Sequence, residues 1–153
     1  MVFVDCATRY TWIYPLKSLN HTSLKAVLSA WTVDAGRFPN RLYTDFDFKL
    51  LEGPTAAYLR VNKVSLRGSP NGRRNQNGLV ERTWQTITGM GRAFITDMQM
   101  PRQYWYWALR QAVQVHNYVP CTDERISTSP HELVYGVKPD LRVLFRMFSM
   151  GFF

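Results

Sequence analysis

Val2-Phe3-Val4 and the run from Thr11 to Leu16 set branched and aromatic side chains close together, on either side of the polar Asp5-Cys6-Ala7-Thr8-Arg9. This pattern predicts two short strands paired antiparallel. Asn20-His21-Thr22-Ser23 offers capping side chains, and Leu24, Val27, Leu28 and Trp31 then recur at helical spacing up to Gly36. Pro39-Asn40 resets the chain before a short strand from Arg41 to Asp45, with Asp47 just beyond it. Residues 53 to 60 predict a short helix and 61 to 66 another short strand. Residues 67 to 78 carry Gly68, Pro70, Gly72, Gly78 and three asparagines. That composition predicts a mobile loop.

From Leu79 onward Val80, Trp84, Ile87, Gly91, Phe94 and Met98 share one helical face, and Glu81 lies about 100° around from Val80 at its edge. Pro101 suits the first turn of a second helix, with Trp105, Ala108, Leu109, Ala112 and Val113 as its buried stripe and Pro120 as its stop. A third, short helix is predicted from Ser129-Pro130 to Tyr135, closed by Gly136. Strands first, then helix alternating with strand, then helices, predict one α/β domain over residues 1–153 with a mixed sheet.

The 46% hydrophobic and 14% aromatic content suits a packed globule rather than a disordered segment. A net charge of +8 changes the picture more, since it favours a polyanionic partner, nucleic acid first and an acidic membrane surface second. Cys6 and Cys121 have no disulfide-framework or zinc-ligand spacing, which suits a reducing, nuclear or cytoplasmic setting. No apolar run reaches the roughly 18 residues of a membrane span, so no membrane partner is expected. The chain starts inside an apolar run and stops on Phe152-Phe153, which creates the expectation of a fragment of a longer polypeptide.

Two carboxylates stand out. Asp45 at a strand end and Glu81 at a helix edge flank a basic, glycine-rich segment, and 35 residues lie between them. Carboxylate oxygens suit Mg²⁺ or Mn²⁺, and such ions support in-line phosphoryl displacement. The alternative is structural, with Asp45 capping a turn and Glu81 paired with Arg82, Gln85 or a lysine. Arg60, Lys63, Arg67, Arg73, Arg74 and Arg82 fall within 23 residues, with no acid between Arg60 and Val80. Such a run suits phosphate contacts, with a solvated face as the alternative. His21, His116 and His131 lack ligand spacing and read as capping, core or surface residues. Trp105-Tyr106-Trp107 reads as core plus partial surface rather than a base-stacking platform.

Taken together, Asp45, the 35-residue interval and Glu81 within Asn77-Gly78-Leu79-Val80-Glu81-Arg82 resemble the second half of the Asp, Asp-35-Glu signature of retroviral and retrotransposon integrases. The detailed wording is similar to the copia-type (Ty1/copia) elements. It runs through Val4-Asp5-Cys6-Ala7-Thr8-Arg9-Tyr10-Thr11-Trp12-Ile13-Tyr14-Pro15-Leu16, Thr44-Asp45, Ser69-Pro70, Gln76-Asn77-Gly78, Tyr104-Trp105, Thr128-Ser129-Pro130-His131-Glu132 and Gly136-Val137-Lys138-Pro139. The resemblance covers nearly the whole chain.

It implies a ribonuclease H-like fold, a mixed central sheet flanked by helices, as the partial catalytic core of a Pol-type polyprotein. It also implies two divalent ions, processing of 3′ ends and their joining to target DNA, and a homo-oligomeric parent. By position, Asp45 is then the second catalytic and metal-binding carboxylate and Glu81 the third, while Arg67, Arg73, Arg74, Asn75, Asn77 and Arg82 meet DNA. The family continues its second aspartate as Asp-Asn-Gly, whereas this chain has Asp45-Phe46-Asp47, so Asp47 competes as a ligand. Asp5 matches a family position that is not catalytic. The resemblance therefore implies truncation at the first strand, with the first catalytic aspartate missing and the isolated chain inactive. A non-catalytic nucleic-acid-binding remnant is the main alternative, and a ribonuclease H-type hydrolase a lesser one.

Overall fold

In a computed structural model, the structure describes residues 1–44, 52–68, 78–120 and 128–144. Contacts divide the chain into two compact units, Met1 with Tyr14–Leu79 and Val2–Ile13 with the chain from Val80 onward.

In the first unit, α1 (His21–Ala35) starts where Asn20 accepts a 2.8 Å hydrogen bond from the Ser23 amide and ends at Gly36 in the left-handed region, φ 70°. Leu24, Val27, Leu28 and Trp31 are buried along one face, as their spacing predicts. Strand β3 (Arg41–Thr44) leads by way of α2 (Gly53–Val61) to β4 (Ser65–Gly68), and the two strands pair in parallel. A parallel pair needs such a crossover, and a helix supplies it here. Thr55, Ala56 and Leu59 are the buried residues of α2. The starts of α1 and α2 are tied together by His21 Nδ1 and Thr55 Oγ1, 3.0 Å apart. The His21 ring lies so close to Gly53 (φ 70°) that a Cβ there would sit 3.1 Å from it. The strand expected over 61–66 instead runs from 65 to 68, because α2 continues through Val61 and a turn at Lys63, φ 59°, follows it.

The second unit contains the antiparallel pair β1 (Val2–Val4) and β2 (Thr11–Ile13), with Phe3 opposite Trp12. In the connection, Asp5 Oδ2 accepts hydrogen bonds from the Thr8 amide at 2.9 Å and the Thr8 hydroxyl at 2.6 Å. Helices α3 (Gly78–Asp97), α4 (Trp105–Tyr118) and α5 (Pro130–Tyr135) complete this unit, with a 3-10 turn over Arg102–Tyr104 before α4. Its core joins Ile87 of α3 to Leu109, Ala112 and Val113 of α4, with Ile13, Met90 and Phe94 packed against them. Gly91 lets α3 approach α4, since a Cβ at that position would meet Leu109 Cδ2 at 2.9 Å.

Beside the packing of Ile13, a buried side chain of α4 bonds to strand β2. Asn117, 3% exposed, accepts from the Thr11 amide at 2.9 Å and donates to the Thr11 carbonyl at 2.8 Å. An aromatic network continues this contact: Trp12 and Tyr10 lie 4.7 Å apart, Tyr10 and Tyr135 5.7 Å, Tyr135 and His131 4.7 Å, and His131 and Tyr118 4.9 Å between ring centroids. Burial above all, then the neighbouring Tyr135, holds the Tyr10 hydroxyl well above the usual phenol range. Among the described residues no helix is long and apolar enough to cross a membrane. An antiparallel strand pair in one unit and a parallel pair in the other, with the helices, make a mixed α/β architecture.

Candidate functional site

The parallel register sets the carboxyl ends of β3 and β4 side by side, with Thr44 opposite Gly68. The next residues in the chain are Asp45 and Ser69, so the candidate second carboxylate and the basic loop leave from one end of one strand pair. In open α/β sheets that is the end at which ligands bind. Asp45 itself, the competing Asp47, and Arg73, Arg74, Asn75 and Asn77 of the loop lie outside the described residues. Arg67 lies in β4, exposed and opposite Tyr43, rather than in the loop where glycine composition places it. The parallel pairing with β3 claims its backbone and carries the strand through Gly68.

Glu81 lies in the first turn of α3, exposed, with Arg82 exposed beside it. A carboxylate there is favoured by the positive end of the helix dipole. Among the described residues no ion pair or hydrogen bond engages its carboxylate, and the pairing with Arg82 or Gln85 considered from sequence is not formed. Oxygen donors of this kind fit a hard divalent cation. No group of three potential metal-binding side chains is gathered among the described residues.

The apolar stripe predicted for α3 divides in two. Thr83 (7%), Ile87 (0%) and Gly91 are buried, but Val80 and Trp84 are 37% and 38% exposed. The residues of α4 meet α3 at Ile87 and Gly91, and the turns that carry Glu81 hold apolar side chains in solvent. Sequence periodicity marks the stripe and cannot show where its packing partner stops. Trp105, placed in the buried stripe of α4 by its spacing, is 53% exposed for a similar reason: it opens the helix, one turn before burial begins at Ala108. Trp107 is 51% exposed and has the Arg110 guanidinium 5.8 Å from its ring centroid.

The histidines are structural. His131 Nδ1 lies 3.3 Å from the Val137 carbonyl, and His21 joins two helix starts. His116 is held below the usual imidazole range by burial, partly offset by the Arg9 carbonyl. Its Nε2 is buried and has no hydrogen-bond partner among the described residues.

No family model matches the chain. It is 32% identical over 149 residues to the retrovirus-related Pol polyprotein from transposon RE2 of Arabidopsis thaliana, and 29% identical over 143 residues to that from transposon RE1 of the same plant. Those matches cover 94% and 92% of this chain, which spans about a tenth of each relative's length. In structure it is similar to the HTLV-2 integrase catalytic core domain, solved in complex with magnesium, with TM-score 0.68 and 18% identity over 88% of this chain and 82% of that one. It is also similar to a chain of the simian T-cell lymphotropic virus intasome in complex with PP2A regulatory subunit B56 gamma, with TM-score 0.73 and 18% identity over 88% of this chain and 47% of that one. Over nearly its whole length the chain is thus similar in sequence to a segment of retrovirus-related Pol polyproteins of plant transposons, and it has the ribonuclease H-like fold of retroviral integrase catalytic cores.

Proposed function

We propose that the chain belongs to the catalytic core of a copia-type strand-transfer enzyme, which processes the 3′ ends of element DNA and joins them to target DNA as a multimer. The observation that carries this reading is the β3–β4 pair, whose adjacent carboxyl ends lead directly into Asp45 and into the basic loop. Asp45 and Glu81 would hold Mg²⁺ or Mn²⁺, and the carboxylate of Glu81, exposed and without a partner among the described residues, fits that role. Bound there, the ions supply the charge that stabilises displacement at phosphorus. Arg67 and Arg82, with Arg73, Arg74, Asn75 and Asn77 of the loop, bind the phosphate backbone and orient the scissile strand. Those contacts neutralise phosphates and make binding fall with salt.

Asp5 is not one of the catalytic set in this reading, because it matches a family position that is not catalytic, and its Oδ2 accepts from the amide and hydroxyl of Thr8. The isolated 153-residue chain then binds DNA without joining strands, and Asp5 is also what favours the second reading, a core that binds nucleic acid without chemistry. Strand-transfer assays with Mg²⁺ test this on the isolated chain and on a version extended upstream. Glu81→Gln and Asp45→Asn abolish joining by the active form while DNA affinity and its salt slope persist. Activity of the isolated chain that Asp5→Asn removes would overturn the assignment. An extended chain that binds DNA yet never joins it would establish the second reading.

A further inference from the structure

We propose that Trp84 is the base-stacking residue of this site, holding an unpaired base of a DNA end one helical turn from Glu81. The inference rests on the strand-transfer reading and deepens it. Residues three apart on a helix are surface neighbours, with Cβ atoms about 5–6 Å apart, so Trp84 and Glu81 occupy adjoining positions on the surface of α3. Trp84 is 38% exposed and Val80, four residues before it, 37% exposed, so the two form an apolar ledge in solvent.

The fold does not use this ledge as core. The buried positions of α3 are Thr83, Ile87 and Gly91. The charge around the ledge selects its occupant. Between Glu52 and Asp97 the only acid in the sequence is Glu81, while Arg82 is exposed in the same turn. An apolar protein surface would satisfy the indole and leave Arg82 without a partner, whereas a nucleic-acid strand supplies a flat base for the ring and a phosphate for the guanidinium. Stacking tolerates any base, since each has a π face, and a duplex offers such a face only at an end or where pairing is broken. A strand end is also what the Glu81 region acts on in the proposed reaction.

The test uses the isolated 153-residue chain and two hairpin DNAs of identical duplex, one flush and one with an unpaired 3′ end carrying 2-aminopurine. The unmodified chain binds the unpaired end more tightly. Trp84→Ala weakens that binding by about tenfold and leaves the flush hairpin unchanged, while Trp84→Phe restores most of the preference. Aminopurine fluorescence is quenched by the unmodified chain and by Trp84→Phe, not by Trp84→Ala. The same affinity and quenching in Trp84→Ala would overturn the proposal. So would equal loss on both hairpins, or a Trp84→Ala chain with altered oligomeric state, which assigns the ledge to a second copy. If the unmodified chain binds neither hairpin, the strand-transfer reading falls first and takes this inference with it.

Discussion

Replacing Asn117 by alanine removes both hydrogen bonds that hold β2 to α4, and the cost follows from what is left behind. Thr11 is 1% exposed, and its amide and carbonyl each have Asn117 as partner, at 2.9 and 2.8 Å. The pairing with β1 offers no substitute. Asp5 donates to the Tyr10 carbonyl and Tyr14 to the Met1 carbonyl, so alternate residues of this hairpin, Thr11 among them, turn their polar groups away from β1. Leaving a buried polar group unpaired costs about 1–3 kcal/mol, which for two groups comes to about 2–6 kcal/mol. Against a total stability of about 5–15 kcal/mol, that is a large fraction. With a urea slope of about 1–3 kcal/mol per molar, the unfolding midpoint falls by at least about 0.7 M. Hydrogen exchange supplies a local readout, with Thr11 amide protection lost. Asn117→Asp sharpens the test, because a carboxylate still accepts from the Thr11 amide but sets an oxygen against the Thr11 carbonyl. Only the protonated acid can donate to that carbonyl, which raises the folded-state pKa. The stability of Asn117→Asp is therefore greatest at low pH and is lost as pH rises through that value. An alanine variant within about 0.5 kcal/mol of the parent, or with Thr11 still protected, would refute the reasoning.

Three other outcomes are expected. His116 is held neutral by burial, with its folded pKa below the unfolded value of about 6.5, so acidification loads protons onto the unfolded chain first. Stability is full above that pH and declines as pH falls toward the lowered folded value, and a urea-midpoint series in His116→Gln should show this part of the decline removed. An added Cβ at Gly89 would meet nothing within 4 Å, so Gly89→Ala raises stability by about 1 kcal/mol from helix propensity alone, whereas Gly91→Val forces branches against Leu109 and lowers it by about 1–3 kcal/mol, both read by thermal melts. Asn20→Ala removes the cap that receives the Ser23 amide and costs about 1 kcal/mol, measured by urea unfolding.

Much of the fold is legible in the sequence because its signals are local. Asn20, the stripe Leu24, Val27, Leu28 and Trp31, and Gly36 predict α1, and the structure forms it between the same signals. Ser129, Pro130 and Gly136 bound α5 in the same way, with Ser129 accepting from the Glu132 amide at 3.2 Å. The errors come where tertiary contacts decide. Parallel pairing with β3 draws Arg67 and Gly68 into β4, although glycine composition reads that stretch as loop. The exposed ends of two apolar stripes, Trp84 and Trp105, depend on where a partner helix stops, and periodicity carries no information about that.

The candidate site is legible for another reason. An interval of 35 residues between two carboxylates is a property of the chain itself, and the structure adds that Glu81 is exposed in a first helical turn. The side-chain clamp from Asn117 to Thr11 spans 106 residues and has no signature, since one asparagine at a helix end resembles any other. The turn at Asp5 is equally silent in the pattern, because nothing in the sequence shows that Thr8 bonds to its carboxylate.

The Asn117 clamp also bears on behaviour at high concentration. An outward-facing strand edge is a template for another chain, and proteins commonly blunt such edges with charge, proline or a covering element. Here a single amide occupies the outward groups of β2 at Thr11, mimicking the neighbour strand that would otherwise add there. Losing it would open a docking point for a second polypeptide, and self-association through β2 would then rise with concentration.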